Sequence, residues 1–555
     1  MPRAPRRGCL IAALALMTAS DASAARAVCV ENATIGELRQ ALSTGDATAA
    51  GLVEAYLARV AAYDRAGPRL DAVREVNPDA PAVATQSDAR EPATRRPLEG
   101  IPILIKDNIA TGDAQHTTAG SLALEGARAK DDATVVKLLH EAGAVILGKA
   151  NLTEFANIIA IHMPAGYSSL GGQVKNPYAP ELDDKGVPIV PPGGSSSGSA
   201  VAVAAGLAAA AIGTETSGSL LSPASQNGVV TVKPTVGLLS RTGIVPIAHS
   251  QDTAGPLTRT VRDAAILLNV LAAADPLDPA TAELQRPADY TSFLDRDGLR
   301  GARIGVPSDP SDPANDFYYG ALPQRAAAVM REAAAVLERE GATVVRANIP
   351  TAGWIGGPGT EMAILNRNPE SPTKNQPTRR PIVFIYELKH DLNLYLRDWA
   401  AGSGMASLAD IIAFNSEHAD RALRFGQDIF LAAEATRGDL SELEYISARL
   451  MDLRASRTLG LDAYMDDHRL DAVLFPAAAG AAIAAKAGYP SVQVPAGFIA
   501  GIRDKETPDY PYGATFTGRA WSEPILLRVA YAFEQATQAR RPPPGLPSLD
   551  SACAR

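Results

Sequence analysis

The chain has 555 residues, of which 46% are hydrophobic and 20% charged, and it carries a net charge of −9. This is the composition of a soluble globular protein with a large core. The acidic balance, with no Lys/Arg run and no interleaving of aromatic and basic residues in the body of the chain, argues against nucleic acid or an anionic membrane as the principal partner.

In chain order, the N-terminus reads as a signal peptide over residues 1–24. Arg3, Arg6 and Arg7 form a positive n-region, Leu10 to Met17 a short apolar stretch, and Ala22-Ser23-Ala24 a small-residue cleavage site. The apolar stretch is too short to span a bilayer as a stable helix, and no later run is long enough to do so. The Arg6-Arg7 pair hints at a twin-arginine route in a poor surrounding motif, and no lipobox precedes Cys29. The expected location is periplasmic or secreted. Cys9 leaves with the signal peptide, so the mature chain keeps Cys29 and Cys553, one at each end. In an oxidising compartment these form either a terminal disulfide or two free thiols. Neither reading supplies a metal site or a catalytic thiol.

Thr34-Ile-Gly-Glu37 is a capping box that opens a helix. From Thr48, the residues Leu52, Val53, Tyr56, Leu57 and Val60 recur at helical spacing until Gly67-Pro68. Ile101 to Ile105 and Ala144 to Leu147 read as buried strands, with a helix over Thr134 to Ala142 between them. Gly171 to Gly194 is a Gly/Pro-rich loop. The segment Ser199 to Ala211 is apolar on every side and is therefore buried. Pro307 to Pro313 and Gly353 to Pro381 are loop-like; Arg325 to Glu340 and Ala419 to Ala433 are helical; Ala472 to Phe475 and Ser491 to Val494 return as short strands. Helix–strand alternation of this kind implies an α/β fold with a buried sheet. The expectation is a single large α/β/α domain over residues 25–555, with a mixed central sheet covered by helices. Its core spans about 30–300 and 465–545, with a mostly helical elaboration over about 310–460. There are no internal repeats.

Three segments carry chemistry. Lys106 ends a wholly apolar strand, where a buried ammonium tends to lose its proton and become a usable base; the plainer alternative is an ion pair with Asp107. The run Pro192 to Ala200, dense in Gly and Ser, supplies a backbone open to unusual conformations and several N–H donors. It leads straight into the buried Ala/Val segment, which a flexible linker would not do. In Gly213 to Pro223, the backbone N–H groups of Thr216, Ser217, Gly218 and Ser219 offer an oxyanion hole around a serine nucleophile; the alternative is an ordinary Ser/Gly turn. Ser195 and Ser219 lie 24 residues apart. About eight residues of helix advance roughly 12 Å, and a strand of four or five residues returns about 13–17 Å. The chain therefore goes out and comes back, bringing nucleophile, proton carrier and base within reach of one another.

The run from Gly193 to Pro234 closely resembles the amidase signature family, with a Gly-Gly-Ser-Ser segment at Gly193–Ser196, a G-T-[DE]-x-x-G-S loop at Gly213–Ser219 and a Lys233-Pro234-Thr235 end. Lys106-Asp107 matches as well. Asn77–Ala80, Gly148–Glu154, Ser250–Pro256 and Ala520–Pro524 look like landmarks of the same family. The likeness covers nearly the whole mature chain and is greatest to bacterial peptide amidases. It implies a cofactor-free hydrolase of carbon–nitrogen amide bonds. Ser219 stands where the family has its nucleophile, Ser195 at its bridging serine beside a cis peptide bond, and Lys106 at its base; the implied substrate is a small-molecule or peptide amide. Two positions depart from the pattern: Ser217 stands where many members have Gly, and Leu221 where many have Arg. Both bear on substrate preference more than on the triad. The stretch between Asn176-Pro177 and Gly193 is longer than expected and is a lid or, the favoured reading, a surface insertion.

Other readings fare less well. Gly143-x4-Gly148-Lys149-Ala150 nearly spells a phosphate-binding loop, but Ala-Val-Ile-Leu forms a strand, not an N–H cradle, and Ala150 cannot ligate magnesium. The seven histidines show no paired metal-ligand spacing, so no metal is expected. A component of a tRNA-dependent amidotransferase, working with partner proteins, is opposed by the leader and the lack of basic surface. A silent amidase-like binding protein is opposed by intact Lys106, Ser195 and Ser219. Aryl-acylamide, carbamate and ester hydrolysis use the same triad, because the acyl pocket is not encoded in it; the apolar stretch Ala477 to Ala485 is a pocket wall or simply core. Oligomeric state is not readable.

Overall fold

The computed structural model describes residue 1 and residues 28–355, 361–365, 377–400, 402–500 and 508–553. The signal peptide read over residues 1–24 lies, but for Met1, outside the described residues.

Eleven strands form one mixed sheet: β1 (Val73–Val76), β2 (Pro102–Lys106), β3 (Val145–Ala150), β4 (Ala210–Glu215), β5 (Val230–Lys233), β6 (Thr253–Thr258), β7 (Arg303–Val306), β8 (Thr343–Arg346), β9 (Ala472–Pro476), β10 (Ser491–Ile499) and β11 (Tyr510–Thr517). Their spatial order is β1-β3-β2-β4-β6-β5-β10-β11-β9-β7-β8. The pairs β3–β2, β2–β4, β9–β7 and β7–β8 are parallel and the others antiparallel. Strands β2, β3, β4 and β6 are buried at every residue. That explains why the segments of β2 and β3 read as continuous apolar runs and not as alternating ones. The eight-residue helix Ser197–Ala204 is buried on all sides and feeds the six-residue β4, which is the out-and-back path that the serine spacing requires.

Local signals agree with the sequence at several points. Thr34 and Glu37 form the reciprocal capping box of the helix Ile35–Thr44. Within the phosphate-loop look-alike, Val145–Ala150 form β3. Cys29 and Cys553 are joined by a disulfide, settling the choice between bridge and free thiols. Arg59, fully buried, supports the same junction by donating to Ala205 O, Gly206 O and Pro547 O.

Three readings are corrected. Gly353 to Pro381 is not all loop: residues 361–365 and 377–381 pair as antiparallel strands, and the surrounding Gly and Pro hid them. Ala419 to Ala433 is not one helix but two, Ala419–Ala422 and Asp428–Glu434, with Gly426 at φ +85° between them. Residues 310–460 are not wholly an elaboration, since β8 joins the main sheet and the helix Gln324–Arg339 packs on β8, β10 and β11. The helices after residue 381 do build a second hydrophobic cluster, in which Val383, Leu388 and Phe430 pack against Phe155 and Ile159. The stretch after Asn176 is tethered where Arg424 donates to Lys185 O at 2.6 Å.

Candidate active site

Lys106 is the last residue of β2 and has no exposed surface. Its Nζ lies 2.8 Å from Ser195 Oγ, 2.8 Å from Thr214 Oγ1 and 3.3 Å from Thr214 O. Parallel pairing of β2 with β4, with Ile105 opposite Ile212, brings Thr214 beside it. Burial pushes the Lys106 amine down to about 7, and the charges of Glu215 and Asp252 oppose that fall only in part. Asp107 is not its partner. That carboxylate faces Arg74 Nε at 2.6 Å and the Thr118 hydroxyl instead, so the plain ion-pair reading fails.

Ser195 follows a cis Gly194–Ser195 peptide bond and is fully buried. Gly193, at φ +69°, has its α-carbon so close to Pro223 that a Cβ would stand 2.5 Å from Pro223 Cα; no other residue fits there. Ser196 N donates to Ser219 O at 3.0 Å, and Ser196 Oγ donates to Thr214 O at 2.9 Å. The glycine-rich segment is therefore stitched both to the end of β4 and to the loop that carries Ser219.

That loop is held from both ends. Glu215 Oε2 accepts from Leu220 N at 2.6 Å and Leu221 N at 3.0 Å, at the start of the helix Leu221–Gln226. Thr216 Oγ1 donates to the half-buried Asp252 carboxylate. Gly218 takes φ +88° between these anchors. The backbone N–H groups of Thr216, Ser217, Gly218 and Ser219 have no hydrogen-bond acceptor among the described residues. Four adjacent donors with no partner are the raw material for holding an oxyanion. Ala481 Cβ lies 3.5 Å from where a Cβ on Gly218 would sit, while Ile483, Ala484 and Ala485 are fully buried. The stretch from Ala477 to Ala485 thus meets the loop at Ala481 and ends as core.

A cavity of about 530 Å³ opens beside these groups, lined by Asn108, Thr214 and Thr216 together with Ile247, Tyr395 and Trp399. Sequence reasoning placed Lys106, Ser195, Ser219 and Thr216–Gly218, and the fold gathers them. It missed Thr214, Glu215 and Asp252 as partners. Thr214 and Glu215 stand inside the quoted Gly213–Ser219 run and Asp252 inside the Ser250–Pro256 landmark, so the signal was position within a motif. Tyr395 and Trp399 come from the distant helix Ile382–Trp399 and left no local signal.

A buried amine of lowered basicity, hydrogen-bonded to a serine on a segment stitched to a loop of unpaired amide donors, is an arrangement able to hydrolyse acyl compounds. The amidase family model matches residues 51–353, and the chain belongs to the amidase signature family and is an amide hydrolase. It is 40% identical over 524 residues to a probable amidase of Arabidopsis thaliana, covering 93% of this chain and 92% of that one. The structure resembles the peptide amidase of Stenotrophomonas maltophilia with a TM-score of 0.79 at 43% identity, covering 92% and 98% of the two chains. The chain is also 33% identical over 547 residues to a putative amidase of Schizosaccharomyces pombe, covering 93% of this chain and 87% of that one.

Proposed function

We propose that the protein is an exported amidase that cleaves carboxamides through a Ser219–Ser195–Lys106 relay, most readily C-terminal peptide amides with release of ammonia. The observation that carries this reading is the 2.8 Å contact between Lys106 Nζ and Ser195 Oγ in a wholly buried setting that brings the amine to about 7. Neutral Lys106 takes the Ser195 proton as Ser195 takes that of Ser219. Ser219 Oγ then adds to the amide carbon, and the N–H groups of Thr216 to Ser219 stabilise the oxyanion. The proton returns through Ser195 to the nitrogen, the carbon–nitrogen bond breaks, and the amine departs. Water activated by the same relay hydrolyses the acyl-Ser219 ester. No metal or cofactor enters the scheme.

Likeness to the Stenotrophomonas peptide amidase supports the substrate class. Export rests on the sequence of residues 1–24, and a disulfide between Cys29 and Cys553 accords with an oxidising compartment. N-terminal sequencing of the periplasmic and culture fractions tests it; an intact Met1 in a cytoplasmic protein would sink it.

The deciding assay for activity is ammonia release from a panel of C-terminally amidated dipeptides, beside a p-nitroanilide and a phenyl carbamate, with Ser219→Ala as control. Release from the peptide amides, lost in the control, is expected. Turnover of nitroanilide or carbamate alone would keep the triad and move the substrate class. Silence on all three would favour a catalytically silent binding protein.

A further inference from the structure

His249 lines the same cavity as Thr214 and Thr216. Its ring is held on one side only. Nδ1 lies 2.9 and 3.0 Å from the two oxygens of Asp391, and the His249 backbone N–H donates to the same carboxylate at 2.8 Å. Nε2, on the other edge of a side chain that is 45% exposed, has no partner among the described residues. The segment before it is fixed relative to the oxyanion loop, because Asp252 accepts from Ile247 N and Ala248 N at 2.9 Å each and from Thr216 Oγ1. Arg241, the cation nearest to His249 on the cavity wall, is spent: Asp278 and His249 O engage it. His249 is thus a ring on the cavity wall, held at Nδ1 with Nε2 unpartnered, on a segment that Asp252 ties to Thr216.

We propose that His249 Nε2–H is a specificity-determining donor that binds a second carbonyl on the acyl side of the substrate, selecting acylamino-acid and peptide amides over simple aliphatic amides. This rests on the amidase reading of the site. The groups facing the ring set its charge. Burial pulls the imidazole down, but the Asp391 hydrogen bond and the charges of Glu387 and Asp391 outweigh that pull and the opposing charge of Arg241, and hold it above its ordinary value. His390 approaches the same Asp391 oxygen at 2.7 Å, its ring centroid 6.2 Å from that of His249. In the protonated ring Nε2 donates. In the neutral ring, with Nδ1–H committed to Asp391, Nε2 carries a lone pair and repels a carbonyl.

The test compares kcat/KM for N-acetyl-leucinamide with that for isocaproamide, which has the same side chain and carboxamide but no acylamino carbonyl. The ratio of the two should fall about 10- to 100-fold in His249→Ala, as expected for loss of a charge-assisted hydrogen bond, and recover in part in His249→Gln. In the wild-type enzyme the ratio should also fall as pH rises through the His249 titration, since any change at Lys106 affects both substrates and cancels. A ratio unchanged in folded His249→Ala, or a pH-independent ratio, would overturn the inference and leave the amidase reading standing. Failure of the wild-type enzyme to hydrolyse either amide would overturn the amidase reading, and this inference with it.

Discussion

Lys106 and Lys149 sit at the ends of neighbouring parallel strands, β2 and β3, with Ile105 opposite Lys149 and Lys106 opposite Ala150. Both are fully buried, and burial pushes both amines down, to about 7 and about 8. Their partners differ. Lys106 meets two hydroxyls, Ser195 and Thr214. Lys149 donates to Ile109 O at 2.6 Å and Thr117 Oγ1 at 3.1 Å. Both amines therefore meet a hydroxyl, and the difference lies in where it leads: Ser195 belongs to the segment that Ser196 N ties to Ser219 O, so its hydroxyl can accept a proton from one neighbour and give one to another, whereas Thr117 is tied by its N–H to Ala127 O. Burial alone therefore makes a weakly basic lysine; it takes a relay atom to make that lysine a general base. Nothing in the local sequence of either residue states this difference, because it depends on which strand end the Gly193–Ser196 segment crosses.

The largest effects should fall on the relay. Ser219→Ala and Lys106→Met should each lower kcat/KM for a peptide amide by about 10³-fold or more, the scale seen when members of a catalytic unit are removed. The two defects should not add in the double variant, because neither group works without the other. Lys106→Met should at the same time unfold at a higher temperature near neutral pH. The unfolded amine titrates at 10.5 and the folded one at about 7, so between those values folding must expel a proton and stability is lost as pH falls. Methionine removes that cost. A Lys106→Met protein that kept its activity would end the contrast between the two lysines at once.

The next effect is on pH dependence. The proposed relay requires neutral Lys106, so kcat/KM should rise with pH through about 7 and be roughly tenfold lower one unit below that point. Glu215 is the sharper probe. Its charge raises the Lys106 value, while one of its oxygens accepts the N–H groups of Leu220 and Leu221. Glu215→Gln keeps an acceptor for the loop and removes the charge, so the acid limb should move to lower pH. An unmoved limb would mean that the titrating group is not Lys106.

The positions of the proposed triad stand out in the sequence because each lies in a run whose composition is odd for its place: a lysine closing an apolar strand, and two Gly/Ser runs abutting fully buried segments. The partners were less legible, since their roles arise from pairing. Thr214 reaches Lys106 only through the β2–β4 register, and His249 meets Asp391 across 142 residues. The Cys29–Cys553 bridge stood open for a similar reason: a separation of 524 residues carries no geometric information until Arg59 and the sheet bring the ends together. Fold class followed from buried strands alternating with helices, but strand count and order did not. Short strands such as β7 and β8 pair at an edge that only tertiary contact defines, and Gly/Pro-rich flanks concealed the pair at 361–365 and 377–381.

The smallest effect should come from Lys149→Met, and it probes the contrast from the other side. Methionine fills a similar volume and removes a buried amine that burial already disfavours, which offsets part of the damage. What remains is Ile109 O left without its donor, a loss of about 1–3 kcal/mol before that offset. Ile109 also donates through its N–H to Lys106 O at 2.9 Å, so the turn that follows β2 should loosen and kcat/KM should fall by about tenfold at most. The position of the acid limb should stay at about 7, because Lys106 keeps its burial and its hydroxyl partners. A limb that shifted in Lys149→Met as much as in Glu215→Gln would show that the two lysines titrate together, and the contrast drawn from their partners would give way to a single coupled pair.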